Sequence, residues 1–205
     1  MKCFLMGGLL LFSVVACADD SPITTDAELR PFEPEATMDV LPSETRQLVE
    51  KLSEALSSSA EVFEPLTAEQ MSFRPADGSH TPRWNAEHLA GAHLKFLSSY
   101  LHSLDDRIAV VDRLPKQMPD DYQPRHADWD GAKEAEQMRA VDAFTRRYAY
   151  LMKDVDLDSN MPEGVVPPFF KTPRSLLTIL TGHYGQHTGN VKTKFEADDW
   201  PGSKQ

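Results

Sequence analysis

Apolar residues recur at helical spacing in four stretches of this 205-residue chain. No stretch alternates apolar and polar residues at period two for long enough to predict a strand. In the first stretch Leu48, Leu52, Leu56 and Phe63 form a stripe that Val49 and Ala60 widen, and Ser43 after Pro42 is the expected N-cap. Thr67-x-x-Gln70 has the form of a capping box for a short helical turn, and Arg74 to Gly78 reads as a turn. Thr81-Pro82 opens the second helix, because proline is tolerated at the first helical position, and Trp84, His88, Leu89, Ala92, Phe96, Tyr100 and Leu104 carry it onward. Residues 105–127, with Pro115, Pro119 and Pro124, predict a long connection. A third helix is expected from Asp130 to Asp154, with Ala135, Met138, Val141, Phe144, Tyr148 and Leu151 on its apolar side. A second connection holds Pro162, Pro167 and Pro168. Thr172-Pro173 then opens a fourth helix, on which Leu176, Leu180, His183, His187 and Val191 share a face. The expected fold class is all-α: a four-helix bundle with long crossover connections over residues 43–196, followed by a C-terminal tail, 197–205. Sites in such bundles are built from side chains that face the core.

The residues before the bundle follow a different pattern. Met1-Lys2 gives a positive start, and Phe4 to Val15 is an apolar run of about a dozen residues, the length of a signal-peptide core and too short to span a bilayer. Val14-Val15-Ala16-Cys17 looks like a bacterial lipobox, in which the cysteine is lipidated and becomes the new N-terminus. The expectation is a lipoprotein signal peptide over 1–16 and lipidation at Cys17; simple cleavage after Ala18 is the alternative. Residues 17–42 read as an acidic, proline-rich tether with Pro22, Pro31, Pro34 and Pro42, too poor in apolar periodicity to pack. Such a domain is exported to the bacterial cell envelope and held on the periplasmic or extracellular side.

Charge and cysteine usage narrow the function classes. With 32 acidic and 21 basic residues the net charge is -11, which argues against nucleic acid, whose binding energy comes from Lys and Arg releasing counterions. Anionic membrane surfaces are disfavoured for the same reason, so membrane contact is expected only through the lipid anchor. Cys3 and Cys17 are the two cysteines, which excludes a disulfide scaffold or a cysteine-based zinc site in the folded part.

The histidines carry the chemistry. His183 and His187 are four apart, so on a helix they lie one turn from each other and can direct a ring nitrogen each at a single ion. Their stripe is apolar, and a buried neutral imidazole needs a partner for both nitrogens. A metal would supply one; a pair of core histidines bonded to carbonyls or carboxylates is the alternative. Position 184 is Tyr, so the H-E-x-x-H pattern of metalloproteases is absent. No histidine has Glu three residues before it, which excludes a ferritin-like di-iron site. A mononuclear site with a third ligand from another helix remains, and His88 is the best candidate.

Trp84-Asn85-Ala86-Glu87-His88-Leu89, followed about a hundred residues later by His183-x-x-x-His187-x-Gly189-Asn190-Val191, resembles the DinB family. The resemblance covers roughly residues 43–196 and implies a four-helix bundle holding one divalent metal on three histidines, here His88, His183 and His187. His93, the competing third ligand, is about 140° round the helix from His88, so both cannot readily face one ion. His80 and His126 are expected in solvated loops, and His102 in a capping role near a helix C-terminus. Glu87 reads as a solvated helix carboxylate, Tyr184 as packing, Gln186 as solvent-facing and Trp84 as a core anchor. Phe169-Phe170 is expected to plug the bundle end. Three neutral imidazoles leave a divalent ion its charge and open positions for water or a carbonyl, with hydrolysis the generic consequence. Zinc, nickel, manganese and iron all accept imidazole. The expected function is thus a metal-dependent, hydrolase-like enzyme acting on an unidentified small molecule. A thiol transferase ranks lower, because low-molecular-weight thiol cofactors are cytoplasmic and this domain is exported. The alternative is a non-catalytic envelope bundle that binds metal or a partner, and a homodimer stays open.

Overall fold

The computed structural model describes residues 38–115 and 122–202. The expected signal peptide, Cys17 and the tether up to residue 37 lie outside the described residues. The helices are α1 (Ser43–Phe63), α2 (Ala68–Ser72), α3 (Pro82–Leu104), α4 (Gly131–Tyr148) and α5 (Pro173–Lys192), with 3-10 turns at Ala149–Met152 and Thr193–Glu196. The described residues contain no strand, and none of their helices is long and apolar enough to cross a membrane.

Local chemistry explains most of these boundaries. Thr67 accepts from the Gln70 amide and Gln70 Oε1 accepts from the Thr67 amide, the expected capping box. Thr81 caps α3 through the Trp84 amide, with Pro82 at the first position, and Thr172 and Ser175 form a reciprocal box at α5. Two boundaries differ from the sequence expectation. Pro42, at φ -53° and ψ 146°, occupies the N-cap position of α1 with no side-chain cap, so Ser43 is the first helical residue. The third helix stops at Tyr148 and tightens into a 3-10 turn ending at Met152, short of Asp154, because Tyr148 at φ -102° and ψ 1° leaves the α-helical range.

The four long helices form a square in which α1 packs on α4 and α5, and α3 packs on the same two. Leu52, Leu56, Phe63, Leu89, Leu97, Met138, Leu176 and Leu180 fill its centre, all at most 1% exposed. Residue pairing sets the directions. Ser53 reaches Asp142 while Phe63 abuts Gly131, so α1 and α4 are antiparallel. Glu44 meets Arg174 and Ser59 meets Thr188, so α1 and α5 run together. Arg83 faces Glu134 and His93 faces Thr145, so α3 and α4 are also parallel. Asn85 meets His187 and His88 meets His183, which makes α3 and α5 antiparallel.

Parallel neighbours impose a long return. α3 has 23 residues, about 35 Å at 1.5 Å per residue, and the chain must travel back that far before α4 begins. The described parts of the crossover touch α3 at several points. Its Val111 amide donates to Ser98 Oγ at 3.0 Å, Asp112 pairs with Lys95 at 2.7 Å, and His126 O accepts from Arg83 at 2.7 Å. Gly91 makes this approach possible, since a Cβ there would lie 2.6 Å from Arg113 O. Gly131 does the same where α4 starts: its amide donates to Leu66 O, and a Cβ would sit 1.7 Å from Phe63 O.

These glycines should therefore answer differently to one substitution. Gly131→Ala and Gly91→Ala are expected to destabilise the protein by about 1–3 kcal/mol through overpacking. Gly185, which has nothing near its would-be Cβ, should gain up to about 1 kcal/mol as alanine from helix propensity. Urea denaturation of the three variants checks this; a stabilised Gly131→Ala would contradict the packing described.

Candidate metal centre

The first turns of α3 and the C-terminal half of α5 face each other, and at that seam the structure brings together His88, His183 and His187. All three are half-buried, and one ring nitrogen from each lies within 4.8 Å of the others. His88 Nε2 and His183 Nε2 are 3.0 Å apart. Two nitrogens each about 2.1 Å from one ion and about 90–109° apart would be separated by about 3.0–3.4 Å, so the spacing suits shared coordination. The ring of His187 is 4.4 Å from that of His183 and 4.7 Å from that of His88, centroid to centroid.

The protonation pattern also fits. Burial, followed by repulsion from His183, His187 and His80, lowers the His88 pKa to about 3. Burial and the charges of His183 and His80 lower that of His187 to about 4, and burial lowers that of His183. Neutral imidazoles are the form that ligates. Asn85, 1% exposed, selects the tautomer of His187. Its Nδ2 donates to Thr81 O at 2.8 Å, so its Oδ1 is the acceptor for His187 Nδ1–H at 2.7 Å, which leaves the lone pair on Nε2 for the site. His88 is oriented by stacking instead. Its Nδ1 is buried without a hydrogen-bond partner among the described residues, while its ring lies 4.5 Å from that of Trp84 at an interplanar angle of 10°.

His93 is not part of the cluster. It is fully buried between Tyr184 OH at 3.0 Å and Thr145 Oγ1 at 2.9 Å. Because the Thr145 hydroxyl donates to Val141 O, it accepts from His93 Nε2–H, and His93 Nδ1 in turn accepts from Tyr184. This chain joins α3, α4 and α5, and gives Tyr184 a polar partner as well as packing.

Several other positions differ from expectation. His80 lies in a loop, as expected, but is half-buried: its ring stacks on Trp84 at 3.7 Å, and burial with Lys194 and Arg74 lowers its pKa. His126 likewise stacks on Trp129 at 3.7 Å. His102 lies in the last turn of α3 but bonds Ile108 O, beyond the helix end, at 2.7 Å. Glu87 is not a solvated carboxylate. It accepts from Tyr122 OH, from the Arg125 amide at 2.9 Å and from the His126 amide at 3.4 Å, clamping the crossover beside the helical turn that carries His88. Trp84 is a core residue and Gln186 is exposed, as expected. The phenylalanine pair divides its roles: Phe170 is buried against Phe96, whereas Phe169 is 58% exposed. Asn85 is part of the Trp84–Leu89 motif but carries no expected role there; its position three residues before His88, on the same side of the helix, is the signal that marks it.

A family model of the DinB superfamily matches residues 51–191, and the chain belongs to that superfamily. No curated protein and no solved structure matches it.

Two outcomes follow from this geometry. Asn85→Ala should weaken divalent-ion affinity about 10–100-fold by freeing the His187 ring, measured by competition with a chelator; unchanged affinity would remove Asn85 from that role. The second concerns pH. His88, His93 and His187 have an ordinary value of 6.5 and folded values of about 3, 3 and 4, so the unfolded chain binds more protons between those limits. The metal-free protein should then lose stability as pH falls below about 6.5. Urea denaturation at pH 7.5 and pH 5 checks the sign, and equal stability at both would contradict it.

Proposed function

We propose that this chain is an exported, lipid-anchored metalloenzyme of the DinB superfamily. It holds one divalent ion on His88, His183 and His187 and hydrolyses a small-molecule substrate. The observation that carries the reading is the convergence of three neutral imidazoles from two antiparallel helices on one small volume. An ion so held supplies charge for polarising a carbonyl or acidifying water at its remaining positions. The chain's own residues keep that volume in shape: Asn85 fixes the tautomer of His187, Trp84 fixes the ring plane of His88, and the His93–Tyr184 bond ties the two helices together just beyond. Zinc, nickel, manganese and iron all suit the donor set, and availability in the envelope selects among them. Export ranks hydrolysis above thiol transfer, since it separates the domain from cytoplasmic thiol cofactors.

The three ligands act as a unit, because two imidazoles hold an ion poorly. His88→Ala, His183→Ala and His187→Ala should each abolish most metal binding, with double variants adding little further loss. His93→Ala should retain the metal and change stability only. Metal stoichiometry of the four folded variants decides this: a full site in His88→Ala, or all four variants loaded, would refute the assignment. Ester and amide hydrolysis should disappear together with the metal; a loaded wild-type protein inactive on esters, amides and thiol-transfer substrates would leave a non-catalytic metal-binding bundle. For the anchor, Cys17→Ser should move the protein from the membrane to the soluble exported fraction, as one acyl-bearing residue is all that holds it there. Unchanged membrane association would refute lipidation at Cys17.

A further inference from the structure

A pocket of about 280 Å³ lies where the start of α3 meets the end of α5, near the lower end of the range of small-ligand sites. Ser79 and His80, just before α3, and Asn85 in its first turn line it, together with Asn190 of α5 and Lys194 of the 3-10 turn that follows. None of the three clustered histidines lines it, yet two contacts join it to them. Asn85 holds His187 Nδ1 at 2.7 Å, and Trp84 stacks on both His80 and His88, at 3.7 and 4.5 Å.

Lys194 is 6% exposed. Its Nζ donates to Ser79 Oγ at 3.2 Å and to Asn190 O at 3.0 Å, which uses two of its three N–H groups. The bond to Asn190 O caps the last turn of α5. Both acceptors are uncharged, however, and Lys194 forms no ion pair among the described residues. Asp77, the one carboxylate at the lining, is exposed and accepts from the Ser79 amide at 2.8 Å. Burial lowers the Lys194 pKa, and the charge of Asp77 opposes it. An ammonium group withdrawn from water without a counterion is costly. His80 adds a second unmatched group. Burial and the charges of Lys194 and Arg74 keep its imidazole neutral, and neither ring nitrogen is hydrogen-bonded within the described residues. A neutral imidazole offers one N–H and one lone pair.

We propose that this pocket binds a small hydroxycarboxylate. The ligand's carboxylate accepts from the third N–H of Lys194 and supplies the counterion that the ammonium lacks. Its hydroxyl completes the hydrogen bonding of His80. A cation would meet the charge of Lys194, an uncharged ligand would leave that charge uncompensated, and a dianion would be repelled by Asp77 at the rim. In a metal-dependent hydrolase the bound carboxylate is the anionic end of the substrate. That role rests on the function proposed above, whereas the binding does not.

The test is an NMR titration of the metal-free full chain at pH 7.5 with lactate, lactamide and 1-amino-2-propanol, which share a carbon frame and a hydroxyl but differ in charge. Lactate is expected to give saturable shifts of the His80 ring protons and the Lys194 methylene next to Nζ, with the other two at least tenfold weaker. Lys194→Gln should weaken lactate at least tenfold. His80→Phe, which keeps an aromatic ring against Trp84, should weaken it at least threefold. No saturable binding, or equal binding of lactamide, would overturn the proposal and leave Lys194 a helix cap. So would undiminished binding in either folded variant. The location is read on the wild-type protein, independently of how the variants fold: shifts confined to His183 and His187 would place lactate at the histidine cluster and refute it. With no ion present, these outcomes stand whether or not the three histidines hold a metal.

Discussion

An imidazole withdrawn from water favours its neutral form, and each of its nitrogens then requires either a proton donor or an acceptor. Four histidines of this bundle face that requirement along the seam between α3 and α5, and Nδ1 of His88 is left without a hydrogen-bond partner among the described residues. His93 meets it within the protein, with one nitrogen on Tyr184 and the other on Thr145. His187 is satisfied at Nδ1 by Asn85. His88 and His183 turn Nε2 toward each other across 3.0 Å, a spacing compatible with a shared cation. The antiparallel pairing of the two helices, the buried Asn85 and the stack on Trp84 all serve to hold these rings where they are.

The same directions of travel dictate the second feature of the fold. Because α3 and α4 run parallel, the chain must return along α3, and the return is fastened by Ser98, Lys95, Glu87 and Arg83 and admitted by the missing side chain of Gly91. Glu87 and His88 are adjacent in sequence but about 100° apart around the helix. One turn of α3 therefore holds a member of the histidine cluster on one side and the crossover on the other. The clamp on the crossover and the histidine cluster thus share a single helical turn.

The sequence made the helical part of this picture legible because its signals are local. The 3.6-residue stripes, the Thr67–Gln70 capping box and the Thr-Pro starts of α3 and α5 depend on neighbours within a turn, and His183 with His187 on one face follows from the same period. His88 joined them through the resemblance carried by Trp84 to Leu89. What remained hidden depends on residues distant in the chain. Glu87, His80 and His126 each resemble solvated polar residues locally, yet they owe their positions to the crossover or to Trp84. A connection without periodicity gives no register from which such pairings could be read. Asn85 was missed for a related reason, since its role depends on a ring 102 residues away. Glu134 is an acid in the first turn of α4, a position that favours acids at an exposed helix start, but it is 2% exposed beside Arg83 of α3.

The most direct test of the central claim is an anomalous difference map from a crystal of the full chain grown with zinc and recorded at the zinc absorption edge. The account predicts one strong peak at the α3–α5 seam, about 2.0–2.1 Å from a nitrogen of each of His88, His183 and His187. A map without a peak at that seam, or with its strongest peak on other side chains, would contradict it.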